Sequence, residues 1–227
     1  MAINPTLLTS GGTQVQISVL NYGETIPTPI TITVTSEATA GDTSLDVTFS
    51  PTTSTIYAGL AIKVGTAPNE QWVLVSQTVQ GTATSLPVEP ITATIAANST
   101  GTTYAALPLI GLEGANMELS TEENSVVLLA NGGWTVRDYS TGSFSFSGNL
   151  YLPTTPEFAI GARQVADALI AKQNVYLERV LPDGTYHAGL CMVQSASDTT
   201  QGAQYVTQNV NFAGSGTPVQ IRLNAAA

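Results

Sequence analysis

Ile30-Thr31-Ile32-Thr33-Val34-Thr35 decides the fold class of this chain. Apolar and polar β-branched residues alternate along it, and a period of two puts Ile30, Ile32 and Val34 on one face and the threonines on the other. Working outward, similar short strands are expected at 14–20, 44–49, 71–75, 143–151, 175–180 and 206–212. Turn-forming residues separate them: Gly41-Asp42, Ala67-Pro68-Asn69, Asn131-Gly132-Gly133 and Pro182-Asp183-Gly184. The chain reads as mainly β. One segment departs from this, because Phe158, Ala162, Val165 and Leu169 recur at helical spacing behind Pro156-Glu157. Proline and an acid suit a first turn whose amides lack intrahelical partners, and Lys172 suits the opposite pole. A single helix is predicted over about 156–173, packed on a sheet by its apolar stripe.

Charge excludes several functions. The 227 residues carry 6 Lys and Arg against 16 Asp and Glu, a formal net charge of −10. So few cations cannot neutralise many phosphates, which argues against gripping nucleic acid through salt links. Hydrophobic residues make up 43% and charged residues 10%, the reverse of a disordered chain. One cysteine, Cys191, leaves no intramolecular disulfide framework and no multi-cysteine metal site. No apolar run reaches the roughly 18 residues of a membrane span, and Met1-Ala2-Ile3-Asn4-Pro5 lacks a signal-peptide pattern, so a soluble product is expected.

The first half echoes itself. Gly41-Asp42-Thr43-Ser44-Leu45-Asp46-Val47 and Gly81-Thr82-Ala83-Thr84-Ser85-Leu86-Pro87-Val88 share Thr-Ser-Leu-x-Val at an offset of 41 (84 − 43). Ile56-Tyr57-Ala58-Gly59 and Ile95-Ala96-Ala97-Asn98 follow the respective copies. Two copies are too few for a stacked array and suggest a duplicated β unit. Bracketed by Ile26-Pro27-Thr28-Pro29 and Leu107-Pro108-Leu109, residues 28–110 are expected to form an inserted β domain with a twofold internal repeat. Residues 1–27 and 111–227 would then form one discontinuous domain.

Catalytic constellations are hard to find. His187 follows a Pro-Asp-Gly turn, and no nucleophile elbow accompanies it. Cys191 sits among apolar neighbours, where a thiol behaves as a small hydrophobe. Glu118, Glu122 and Glu123 form the densest acidic group, but adjacent residues of an extended segment point to opposite faces, so Glu122 and Glu123 would not share a cleft. No catalytic, cofactor or metal residues are assigned. Phe144 and Phe146 alternate with Ser143, Ser145 and Ser147, and both rings are expected in the core.

From Gly111 onward the succession of motifs resembles a known family. Gly133-Trp134-Thr135-Val136-Arg137 leads to Thr141-Gly142-Ser143-Phe144-Ser145-Phe146-Ser147-Gly148, then the helix, then the hairpin Pro182-Asp183-Gly184-Thr185-Tyr186-His187-Ala188-Gly189. Val210-Asn211-Phe212-Ala213-Gly214-Ser215-Gly216 follows. This order is similar to that of the major tail tube proteins of long-tailed bacteriophages. The resemblance implies a β-sandwich or barrel flanked by one helix, with hexameric rings stacked into a hollow virion tail that conducts DNA without binding it specifically. It further implies a subunit made in the bacterial cytoplasm, and tape measure, tail terminator and sometimes sheath proteins as partners. On that reading the insert decorates the outside. Ring-to-ring arms would come from 1–13 and from a loop over about 118–134, and Glu118, Glu122 and Glu123 are candidates for the lumen or the ring contact. The alternative is a decoration or glycan-binding module using Tyr57, Trp72 and Tyr104; a hydrolase dependent on His187 is a distant third.

Overall fold

A computed structural model describes residues 13–65, 70–110, 112–128, 134–151, 160–201 and 205–221. In chain order the strands are β1 (Gln14–Val19), β2 (Pro29–Val34), β3 (Ser44–Ser50), β4 (Thr55–Ile56), β5 (Ala61–Val64), β6 (Gln71–Leu74), β7 (Val79–Gln80), β8 (Ser85–Pro87), β9 (Thr100–Tyr104), β10 (Leu107–Pro108), β11 (Leu112–Leu128) and β12 (Trp134–Tyr151). Helix α1 (Ile160–Ala171) comes next, then β13 (Asn174–Val180), β14 (Tyr186–Gln201) and β15 (Tyr205–Ile221). The fold is mainly β with one helix among the described residues. The turns expected at 67–69 and 131–133, Pro156 to Phe158, and all of the 1–13 arm except Thr13 lie outside the described residues.

A seven-stranded antiparallel sheet runs β10-β1-β13-β14-β15-β12-β11. One of its faces is apolar: Val15, Ile17, Phe144, Phe146, Val175, Leu177, Cys191, Val210 and Phe212 are buried there against Ala162, Val165 and Ala168 of α1. The helix comes close because Gly161 has no side chain; a Cβ there would overlap the Pro108 carbonyl oxygen. Lys172 lies just past the helix rather than in its last turn, at φ +54°. Its N–H donates to the Leu169 carbonyl at 3.2 Å and that of Gln173 to the Ala168 carbonyl at 2.9 Å, the double bond of a left-handed helix stop. Phe144 lies over a floor without side chains, since a Cβ on either Gly189 or Gly214 would run into its ring.

The expected loop over 118–134 is corrected by this sheet. β11 continues to Leu128 and pairs with β12 from Leu112↔Leu150 to Leu128↔Trp134, so residues 118–128 are the far half of a long strand; 129–133 lie outside the described residues. Its Glu and Asn residues have weak strand propensity, and pairing along β12 overrides it.

The strands of 29–104 make a second, six-stranded sheet ordered β6-β5-β9-β2-β3-β8, plus the small pair β4-β7. A bridge at Val75↔Val88 joins the two outermost strands. Hydrogen bonds from Glu89 N–H to Leu74 O (2.8 Å) and Ser76 N–H to Pro87 O (3.0 Å) flank it, closing the sheet into a barrel among the described strands. Ile30, Ile32, Val34, Leu45, Val47 and Leu86 fill its interior. The two echoing segments meet face to face: Leu45 pairs with Leu86, Val47 N–H donates to Thr84 O and Val88 N–H to Thr43 O, both at 2.9 Å. Matching bonds recur elsewhere, Thr35 N–H to Asp46 O like Ser76 N–H to Pro87 O, and Asn98 N–H to Val34 O like Gly59 N–H to Val75 O. Gly59 and Asn98, at equivalent places, both have positive φ. The chain has crossed back to the first sheet by Leu107, which pairs with Ile17.

Between sheet and barrel lies an aromatic and polar joint. Leu20, Ala61, Tyr176, Val180, Tyr186 and Ala188 are buried together there. Trp72 stacks on Tyr186 with centroids 5.5 Å apart and donates from Nε1 to the Gly184 carbonyl at 3.1 Å. Glu178, 4% exposed, sits at the centre. Its Oε2 accepts from Gln16 Nε2 at 2.9 Å and its Oε1 from the Tyr186 hydroxyl at 2.8 Å, while Gln16 Oε1 accepts the Ala61 N–H at 3.1 Å. Burial pushes the Glu178 carboxyl above its ordinary range, against the pull of those two donors.

Candidate functional site

Residues opposite one another in a ladder share a face. Followed across β14, β15, β12 and β11, the pairings draw three rows on the side away from α1. They are Ser197–Asn209–Asn149–Glu113, Ser195–Asn211–Ser147–Asn116 and Met192–Ala213–Ser145–Glu118. Ser143 and Ser120 continue the pattern, with their hydroxyl oxygens 2.7 Å apart. These side chains are exposed or half-buried. The result is a surface mainly of hydroxyls and amides, with Met192 and Ala213 at one corner, two carboxylates and no cation among these residues, measuring roughly 14 Å by 20 Å at ordinary strand spacings. Its reverse is the phenylalanine core, so one alternation, Ser143-Phe144-Ser145-Phe146-Ser147, builds both sides. In the sequence, the spaced serines of this motif are the signal for the polar surface, as its rings are for the core.

Physically, such a surface is poor at holding a polyanion. Hydroxyls and amides satisfy water and offer no fixed positive charge to a polyanion, and Glu113 and Glu118 repel one.

The acidic candidates separate. Glu118 is exposed on this polar face, opposite Ser145. Glu122 and Glu123 lie further along β11, opposite Thr141 and Tyr139, with a register shift between them. Phe144 and Phe146 are in the core, 3% and 4% exposed and packed edge to face at 5.9 Å. His187 stands opposite Arg179 in the β13–β14 ladder. Cys191 is fully buried with its thiol pushed up to about 12 by burial, and its Sγ lies 3.7 Å from the Gly189 carbonyl. Among the described residues no group of three or more His, Cys, Asp or Glu could hold a metal ion, and no helix is long and apolar enough to cross a membrane. Of the aromatic trio, Trp72 is engaged in the joint and Tyr104 packs edge-on against Tyr176 at 5.6 Å, while Tyr57 packs against the barrel core.

No protein-family model matches this chain, and no curated protein matches it. Among solved structures it is similar to a chain from the tail of an empty gene transfer agent particle refined helically with C6 symmetry, at 19% identity and a TM-score of 0.43, covering 52% of this chain and 87% of that one. It is also similar to a chain of the virion of a native gene transfer agent particle, at 17% identity and a TM-score of 0.42, covering 51% of this chain and 88% of that one.

Proposed function

We propose that this chain is a structural subunit of a phage-type tail tube, in which the serine and asparagine face of β14, β15, β12 and β11 lines the bore. The observation that carries this reading is the face itself: four long strands, a mainly uncharged polar surface edged by Glu113 and Glu118, and no cation among its paired residues. A conduit for DNA needs a wall that neither binds nor traps the polyanion, and this surface meets that demand. Six copies contributing four strands each, at about 4.8 Å per strand, give a backbone circumference of about 115 Å and a diameter of roughly 37 Å before strand tilt widens it. Rings of six stack into the tube, the closed barrel of 29–104 stands outside as an inserted, duplicated module, and tape measure and terminator proteins set the length. The chain has no catalytic role and works in the virion tail after synthesis in the host cytoplasm. The glycan-binding alternative is not favoured, because Trp72 and Tyr104 spend their faces on the joint.

Arginines on the face test this. Tubes of the natural chain should release duplex DNA at moderate salt, whereas tubes of a Ser145→Arg, Ser147→Arg variant should retain it, with retention falling steeply as salt rises. Variant tubes that pass DNA like the natural ones would place this face outside the bore.

A further inference from the structure

The polar face ends at two unpaired strand edges. β11 has β12 on one side and no strand on the other among the described residues. β14 loses β13 after Asn174↔Met192, so from Val193 to Gln201 it too has a neighbour, β15, on one side alone among the described strands. Beside that second edge, between the C-terminal end of α1 and β14, a cleft of about 350 Å³ is lined by Ala168, Leu169, Lys172, Met192, Val193 and Gln194. Beside the first edge stands Leu119. It continues the apolar face of Ala115 and Met117, opposite buried Phe144, yet it is 61% exposed, because the helix layer does not reach it.

We infer that the cleft at the C-terminal end of α1 is the seat for Leu119 of a neighbouring copy of this chain, so that β11 of one subunit lies along β14 of the next. The inference rests on the tube reading and adds the contact that closes its rings. Three observations select this occupant. Leu119 and the part of the cleft walled by α1 and Val193 lie on the same side of the sheet, so adding a strand brings the one to the other. The four strands alternate in direction, which makes the outer two antiparallel to each other; a copy rotated about an axis along the strands therefore presents its β14 antiparallel to β11 without inversion. Charge excludes the self-pairing of two β11 edges, because Leu112–Leu128 contains Glu113, Glu118, Glu122 and Glu123 and no cation, whereas Lys172 borders the cleft. The contact is heterologous, and heterologous contacts form rings or filaments rather than pairs.

Leu119→Cys combined with Gln194→Cys tests the seat. Within one chain these positions lie three strand spacings apart across the sheet and about three residues apart along it, more than about 14 Å, too far for a disulfide, so any bridge joins two copies. Under mild oxidation the double variant should give a covalent ladder that stops at the ring size, with neither single variant doing so. Leu119→Lys, at an exposed position, should fold normally and raise the concentration needed for assembly about tenfold or more. Rings or tubes that assemble without the ladder, or a covalent dimer from Leu119→Cys alone, overturn the seat and leave the tube reading standing. A chain that neither assembles nor cross-links at any concentration overturns both.

Discussion

Glu178 offers the sharpest test of how sheet and barrel are held together. Its two carboxyl oxygens accept from Gln16 and Tyr186, whose own residues are 2% and 9% exposed. Glu178→Ala removes both acceptors and leaves an amide N–H and a hydroxyl buried without them, each at about 1–3 kcal/mol, besides a cavity. A loss of about 4 kcal/mol follows, or roughly 8–16 °C in melting temperature for a chain of this length. Glu178→Gln preserves the shape and discriminates more finely. Because burial raises the folded carboxyl above its unfolded value, the native state holds the proton more tightly; the stabilisation is complete below the unfolded carboxyl range and is lost as pH rises through the folded pKa. Each unit of upward shift corresponds to about 1.4 kcal/mol, or roughly 3–6 °C. Glutamine has no proton to lose, so the stability of the variant relative to the natural chain should rise with pH across that window and be flat below it. Thermal melts of the unassembled protein from acid to mildly alkaline pH give the difference directly. A difference independent of pH, or an alanine variant within 1 kcal/mol of the natural chain, would refute the buried-joint argument.

Three further outcomes are expected. Gly214→Ala sets a methyl group against the Phe144 ring and should cost about 1–3 kcal/mol, measured by urea denaturation. Lys172→Gly relieves a left-handed backbone at the helix stop and should stabilise the monomer by about 1 kcal/mol, while removing the cation from the cleft should weaken assembly, so the two effects separate in one variant. Deleting residues 2–10 should leave a folded monomer that forms no long tubes, checked by circular dichroism and electron microscopy; normal tubes would remove the arm from the account.

Where the chain's local chemistry sets its structure, the sequence was legible. Alternation in Ile30-Thr31-Ile32-Thr33-Val34 maps directly onto burial, and the stripe of Ala162 and Val165 faces the sheet. The echo of Thr-Ser-Leu-x-Val was visible as similarity, but not that Leu45 and Leu86 pair with each other, since strand partners are chosen by tertiary closure. Glu118, Glu122 and Glu123 looked like a loop because polar residues carry little strand preference, and only the partner strand extends β11. Glycines 189 and 214 were unreadable as a floor for Phe144, because three strands must assemble before the ring meets them. Glu178 was hidden for the same reason: its donors come from β1 and β14, and nothing in Asn174–Val180 marks the acid as buried. The polar face was half legible, in the serines that alternate with the phenylalanines.

The most direct test of the central claim is negative-stain electron microscopy of the purified chain over a range of concentrations, with size-exclusion chromatography alongside. Hollow tubes or six-fold rings, with a bore of a few tens of ångströms, are the predicted result. A particle that remains a monomer or a trimer at every concentration would contradict it.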